Sequence, residues 1–187
     1  MLKMKYLLFL FSMFFLNRVH CQKNQSQNSI LCEWSFLNGS DEKTSTEKIL
    51  KPRLFFTYTP ESLQKYFTVD DYMRCEGSLA MLNNRTELRI KLIFMDDMVE
   101  KQWGNIIPKA TVTLNSIKGK SYTLSTEYGA VCETKKGLTV YTCNFQIPDN
   151  IWKKLKKFEI GSLLINFSRG FQTFEVNYID FFIDTLI

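Results

Sequence analysis

The chain has 187 residues, with 24 Lys and Arg against 19 Asp and Glu, a formal charge of +5, five cysteines and one histidine. Lys3, Lys5, Arg18, His20 and Cys21 all precede Gln22, so residues 22–187 carry a net charge of +2, four cysteines and no histidine. That balance argues against nucleic acid or bulk electrostatic attraction to anionic membranes, and the missing histidine excludes Ser-His-Asp and Cys-His catalysis and most zinc sites.

Residues 1–21 read as a secretory signal peptide. Lys3 and Lys5 precede an apolar run from Tyr6 to Leu16, interrupted only by Ser12. A helix of that length rises about 16 Å, roughly half of a ~30 Å hydrocarbon core, which suits an export signal rather than a membrane span. Val19 and Cys21 fit the positions before a cut, which places cleavage between Cys21 and Gln22. Two rival fates remain open: retention as an uncleaved anchor, and lipid attachment at Cys21. Against lipidation stand His20 and Arg18, where such signals favour a small and an aliphatic residue. The expected localisation is secreted or periplasmic, with no integral membrane span after cleavage.

Residues 22–29 form a polar leader, and residues 30–187 are expected to make one domain, long enough to bury a core. Ile30 to Leu37 alternates weakly as a first strand, and Asn38 to Lys48 reads as an exposed loop. Leu54 to Tyr58 is a β-type cluster. Thr59-Pro60-Glu61 then starts one short helical turn through Tyr66, with Thr59 as cap. Leu88, Ile90, Leu92 and Phe94 alternate as a half-buried strand after a turn at Asn83–Asn84. Asp97 and Glu100 have capping-box spacing for a short helix that Gly104 ends. Ala110, Val112 and Leu114 make the next strand, and Lys118–Gly119 turns it towards Tyr122–Thr126.

Ala130–Thr134 and Val140–Phe145 form a hairpin around Lys135-Lys136-Gly137. Pro148-Asp149-Asn150 opens a helix with Ile151, Trp152, Leu155 and Phe158 on one face. Two strands, Ile160 to Phe167 and Phe171 to Tyr178, join through Arg169–Gly170. Ile179, Phe182, Ile183 and Leu186 close the chain at helical spacing. Many short strands with short covering helices predict a mainly β fold: an antiparallel β-sandwich or rolled sheet.

Four cysteines in an exported chain suggest two disulfides with three possible connectivities. The favoured pairing is Cys132–Cys143 with Cys32–Cys75. Cys132 and Cys143 oppose one another if the turn centres on Gly137–Leu138, and miss if it centres on Lys136–Gly137.

The remaining motifs are weak. Ser62-Leu63-Gln64-Lys65 and Ser45-Thr46-Glu47-Lys48 match the acylating S-x-x-K pattern but lack its companion signatures. Gly119-Lys120-Ser121 resembles the end of a phosphate loop, yet Leu114 stands where that loop needs glycine. Asp70–Asp71, Asp96–Asp97 and scattered glutamates are the raw material for a carboxylate-based glycan hydrolase. Trp34 and Trp103 serve either as sugar-stacking platforms or as packing. Lys153, Lys154, Lys156 and Lys157 surround the apolar stripe of the helix after Pro148, either as a solvated face or as a contact for anionic glycans or a membrane surface. Asn24, Asn38, Asn84 and Asn166 begin N-x-S/T sequons, with Asn166 inside a predicted strand.

The C-terminal third resembles a known group. Thr142-Cys143-Asn144-Phe145, the segment from Ile147 to Lys157, Phe174-Glu175-Val176, and Phe181-Phe182-Ile183-Asp184-Thr185-Leu186 follow a recurring order, and Cys75-Glu76-Gly77 with Leu79 is similar to an earlier strand. They resemble uncharacterised exported β-rich proteins of Gram-negative bacteria related to Bacteroides and Flavobacterium. The resemblance implies a periplasmic or surface setting and supplies no catalytic residue.

The expected function is therefore a non-enzymatic exported domain, without cofactor or metal, that binds or scaffolds an envelope protein or glycan. The alternatives are the carboxylate-based hydrolase and a structural partner subunit.

Overall fold

The computed structural model describes residues 34–36, 48–68, 71–82 and 85–185. The signal, its Cys21–Gln22 junction, the polar leader, Cys32, the Asn83–Asn84 turn, the sequons at Asn24, Asn38 and Asn84, and Leu186 lie outside them.

The fold is mainly β. Among the described residues eleven strands form one antiparallel sheet: β1 (Trp34–Phe36), β2 (Lys48–Leu50), β3 (Arg53–Tyr58), β4 (Met73–Leu82), β5 (Arg85–Phe94), β6 (Thr111–Ser116), β7 (Ser121–Ser125), β8 (Ala130–Lys135), β9 (Leu138–Ile147), β10 (Ile160–Phe167) and β11 (Gly170–Glu175). The order is β1-β2-β4-β5-β9-β7-β6-β10-β11, with β3 beside β4 and β8 beside β9. Three short helices cover it: α1 (Val99–Trp103), α2 (Asp149–Leu155) and α3 (Phe181–Thr185).

The sheet curls so that the segment after β11 comes against β3. After β11, the backbone N–H groups of Asn177 and Tyr178 both donate to the Phe55 carbonyl on β3, at 2.9 and 3.2 Å. The Phe56 and Phe174 rings stack across the same seam, 5.0 Å between centroids. Tyr178 reinforces it by accepting from Arg53 Nη1 at 2.5 Å and donating to Asp184 Oδ2. This contact satisfies the Phe55 carbonyl and covers part of an edge that would otherwise be exposed.

The roll follows from alternation. On β5, Leu88, Ile90, Leu92 and Phe94 point inward and are almost wholly buried, and on β9 Tyr141, Cys143, Phe145 and Ile147 do the same. Phe55 meets Phe181 edge-on at 4.2 Å, and Phe94 meets Tyr141 at 5.9 Å, the offset geometry that ring quadrupoles prefer. Tyr141 resolves its polar end by donating to the Gly104 carbonyl at 2.9 Å.

Several expectations are corrected. Asp97 does not cap α1; Asp96 Oδ1 accepts from the Met98 N–H at 2.7 Å, one residue earlier. Thr59 does not cap the following one-turn 3-10 helix, Glu61–Leu63. Its Oγ1 takes the Tyr72 N–H at 3.0 Å, and Pro60 supplies the carbonyl for the turn. The Cys132–Cys143 disulfide is absent. The hairpin turn centres on Lys136–Gly137, both at positive φ (53° and 78°), the two-residue geometry that matches strand twist. That register sets Cys132 against Tyr141 and Cys143 against Ala130. Cys75, Cys132 and Cys143 are free thiols among the described residues, and Cys32, the partner expected for Cys75, lies outside them.

Candidate functional site

Two surface features are built from the fold, and the first is a lysine-lined cleft. The β6–β7 turn is closed by Gly119, whose N–H donates to the Ser116 carbonyl at 3.0 Å and whose φ is 78°. Gly119-Lys120-Ser121 is therefore a hairpin turn. On the opposite wall, Ile151 and Trp152 donate to the Pro148 carbonyl and start α2. Leu155 and Phe158 anchor that segment in the core.

The two walls are tied together. The Ile117 N–H donates to the Glu159 carbonyl at 3.2 Å, and Lys118 Nζ lies 2.9 Å from Glu159 Oε2. Tyr122 and Phe158 form the floor, their rings 5.1 Å apart. The result is a cleft of about 470 Å³ that brings Lys118 and Lys120 to Lys153, Lys154 and Lys157. Positions 153, 154 and 157 share one side of a helical turn; Lys156, grouped with them in the sequence, does not line the cleft. Lys154 Nζ sits 5.9 Å from the Tyr122 ring centroid. Among the described residues only Lys118 of the five has a carboxylate partner.

The second feature is a polar trough on the outer face of β5 and β9. Direct register sets Glu87 opposite Gln146 and Arg89 opposite Asn144. Arg89 Nε donates to Asn144 Oδ1 at 3.0 Å, and the Asn144 side chain also hydrogen-bonds the Glu87 carboxylate. Burial holds the Glu87 carboxyl above its ordinary range, against the pull of Arg89, Asn144 and Arg85. Its Oε2 is sealed from solvent and has no hydrogen-bond partner among the described residues. Glu127 accepts from Gln146 Nε2 at 3.1 Å and lies 3.9 Å from Arg85 Nη1.

Beside this ladder the chain turns sharply at Gly129, φ 77°. A Cβ there would stand 2.5 Å from the Ile106 carbonyl oxygen, so only glycine fits. The turn throws Tyr128 outward, 82% exposed, with Val131 exposed next to it.

The other sequence candidates resolve differently. Trp103 packs edge-on against Phe94 and Phe167, 5.1 and 5.4 Å away, so it is a core ring and no platform. Of Trp34 only the strand position is described. Ser62 lies in the exposed 3-10 turn, and Lys65 caps the Tyr66 ring at 4.8 Å; Ser45 lies outside the described residues. Asp96 accepts from the Tyr72 hydroxyl at 2.9 Å and from the Met98 N–H, a structural role. Asn166 donates to Thr111 Oγ1 at 2.6 Å within β10, which occupies its amide.

Glu87 and Glu127 line one groove, a pair that adjacent-residue reading missed because the strands bring them together from 40 positions apart in sequence. A general acid must reach the leaving-group oxygen, and the sealed Oε2 of Glu87 does not present itself to a ligand. No helix of the described residues is long and apolar enough to cross a membrane, and no three His, Cys, Asp or Glu among them group as metal ligands.

Compared with family models, with curated proteins and with solved structures, the chain matches none.

Proposed function

We propose that this is an exported, non-catalytic binding domain that holds an acidic polysaccharide of the cell envelope or its surroundings in the lysine cleft. The observation that carries the reading is the convergence of Lys118 and Lys120 with Lys153, Lys154 and Lys157 over the Tyr122 and Phe158 rings. Lys120, Lys153, Lys154 and Lys157, which have no carboxylate partner among the described residues, repel one another weakly in water. An extended polyanion relieves that repulsion, while the partly exposed Tyr122 ring offers an apolar face to a sugar.

A membrane surface fits less well. An interfacial helix inserts an apolar face into the headgroup boundary, and Leu155 and Phe158 are already buried in the core. Hydrolysis is disfavoured by the histidine-free chain after residue 21 and by the sealed Glu87 oxygen. Export rests on the signal-like segment at residues 1–21, and the resemblance to exported bacterial proteins agrees with it. Mass analysis of the secreted protein tests that part: an N-terminus at Gln22 supports it, and an uncleaved Met1 overturns it.

The binding test is isothermal titration with polygalacturonate, with neutral dextran and anionic-lipid vesicles alongside. Polygalacturonate should bind, dextran should not, and the double variant Lys153→Glu, Lys157→Glu should lose at least roughly tenfold in affinity. Both lysines are exposed, so an unchanged circular dichroism spectrum is expected. Binding that survives in the double variant, or vesicles bound in preference to polygalacturonate, sinks the reading.

A further inference from the structure

We infer that the trough on the β5/β9 face is a second, separate binding site, and that its ligand is a linear, uncharged oligosaccharide. The argument is independent of the lysine cleft, because different elements and a different chemistry build it.

Shape comes first. The hollow beside Tyr128 encloses about 350 Å³. A neighbouring hollow of about 590 Å³ runs on towards Pro148 and Asp149, and Glu127 and Gln146 line both. Two neighbouring depressions that share Glu127 and Gln146 as a wall suit an extended chain, whereas a single closed pocket would select one small molecule.

Charge comes second. Arg85 and Arg89 stand among Glu87, Glu127 and Asp149, so both signs of charge line the trough, and the Arg85–Glu127, Gln146–Glu127 and Arg89–Asn144–Glu87 contacts are already made. A charged ligand of either sign would gain from some of these groups and lose to the others. A polyhydroxylated neutral ligand meets the planar amides of Asn144 and Gln146 and the guanidinium of Arg89 on adjacent strands, groups with more donors and acceptors than their mutual bonds use. The sheet fixes their spacing, so little side-chain freedom is lost on binding.

The aromatic ring comes third. Tyr128 is 82% exposed, and its phenol hydrogen-bonds Glu127. Gly129 holds the turn in a geometry no other residue adopts there. An exposed tyrosine locked at the rim of a polar trough contributes nothing to the core. It offers a flat face for the C–H side of a pyranose.

The test is saturation-transfer NMR and calorimetry on the purified protein with five neutral hexasaccharides: β-1,4-glucan, α-1,4-glucan, β-1,4-mannan, β-1,4-xylan and N-acetylglucosamine oligomers. At least one should bind with a Kd of about 1 mM or tighter. Tyr128→Ala should weaken it roughly tenfold and Gln146→Ala roughly threefold. Lys153→Glu with Lys157→Glu should leave it unchanged, which separates this site from the acidic-glycan cleft. Both trough side chains are solvent-facing, and an unaltered melting temperature would show that each variant folds. The inference is overturned if none of the five binds, if binding persists in Tyr128→Ala, or if it is lost only in the lysine variant.

Discussion

Cys132 faces Tyr141 across the β8–β9 hairpin, and its thiol hydrogen-bonds the buried phenol, whose own proton goes to the Gly104 carbonyl. Cys143 lies two residues further along and is buried, its thiol pushed up to about 11 by desolvation. Cys75 is wholly buried, and its thiol is raised well above the ordinary value for the same reason. Raised thiols expose little thiolate at neutral pH and are slow nucleophiles. Iodoacetamide labelling of the native protein, mapped by peptide mass, should therefore modify Cys132 slowly and spare Cys75 and Cys143 until denaturant is added. Recovery of a peptide joined through Cys132 and Cys143 contradicts the observed register.

A second expectation concerns the seam that closes the roll. Gly77 lies on β4 directly under the Phe55 ring, and a Cβ built there would come within 2.6 Å of Phe55 Cε2. Phe55 is fully buried and pinned edge-on by Phe181, so it has no room to yield. Gly77→Ala should cost about 1–3 kcal/mol by overpacking. Phe55→Ala, which leaves a cavity, should cost about 3–5 kcal/mol. The double variant removes the clash, so its loss should fall below the sum of the two singles. Urea unfolding of the four proteins checks this, and strict additivity would show that the ring is not what excludes the methyl group.

The roll and its hairpins were legible in the residues. Alternation on Leu88 to Phe94 marks β5, and Lys118–Gly119 marks a real turn, while the β10–β11 turn falls one residue before the expected Arg169–Gly170, at Ser168–Arg169. The Cys132 register was also within reach: a two-residue turn with positive φ at both positions favours glycine second, which selects Lys136–Gly137 over Gly137–Leu138. The attraction of an even cysteine count obscured it. What sequence order hides is juxtaposition. Lys118 and Lys120 stand far from Lys153 in the chain, and Arg89 stands far from Asn144. Only the strand order β9-β7-β6 and the β5–β9 pairing bring the members of each set together. Tyr128 had no periodic signal at all, because its exposure comes from one glycine turn.

The Glu87 carboxyl makes a pH prediction with a definite sign. Its folded value is raised above the unfolded one by burial, so the folded state holds the proton longer than the unfolded chain. Stability from this group is present below the unfolded value near 4.5 and is lost as pH rises through the higher folded value. Above that window the ionised carboxylate is a net cost, reduced by solvent screening because the residue is only partly buried. Glu87→Gln should therefore raise the melting temperature at pH 7 by about 1–2 °C. The gain should shrink towards zero as the pH is lowered to about 4. A variant that is less stable at pH 7 would show that the Asn144 and Arg89 contacts outweigh desolvation.

The lysine cleft yields a gain rather than a loss. Lys118 Nζ is held 2.9 Å from Glu159 Oε2, and that carboxylate is the one acidic group paired with a cleft lysine among the described residues. Glu159 also supplies its backbone carbonyl to the Ile117 N–H, a contact that a side-chain change leaves in place. Glu159→Gln should keep the wall intact, release Lys118 to a ligand and remove one repulsive charge. A partly exposed pair of this kind contributes about 0.3–1 kcal/mol, so polygalacturonate should bind roughly two- to fivefold more tightly. The advantage should fade in 1 M salt, where screening acts over about 3 Å. Misfolding does not imitate tighter binding, which makes this the more demanding test of the cleft. Affinity that falls, or that is indifferent to salt, would place the acidic polymer elsewhere on the surface.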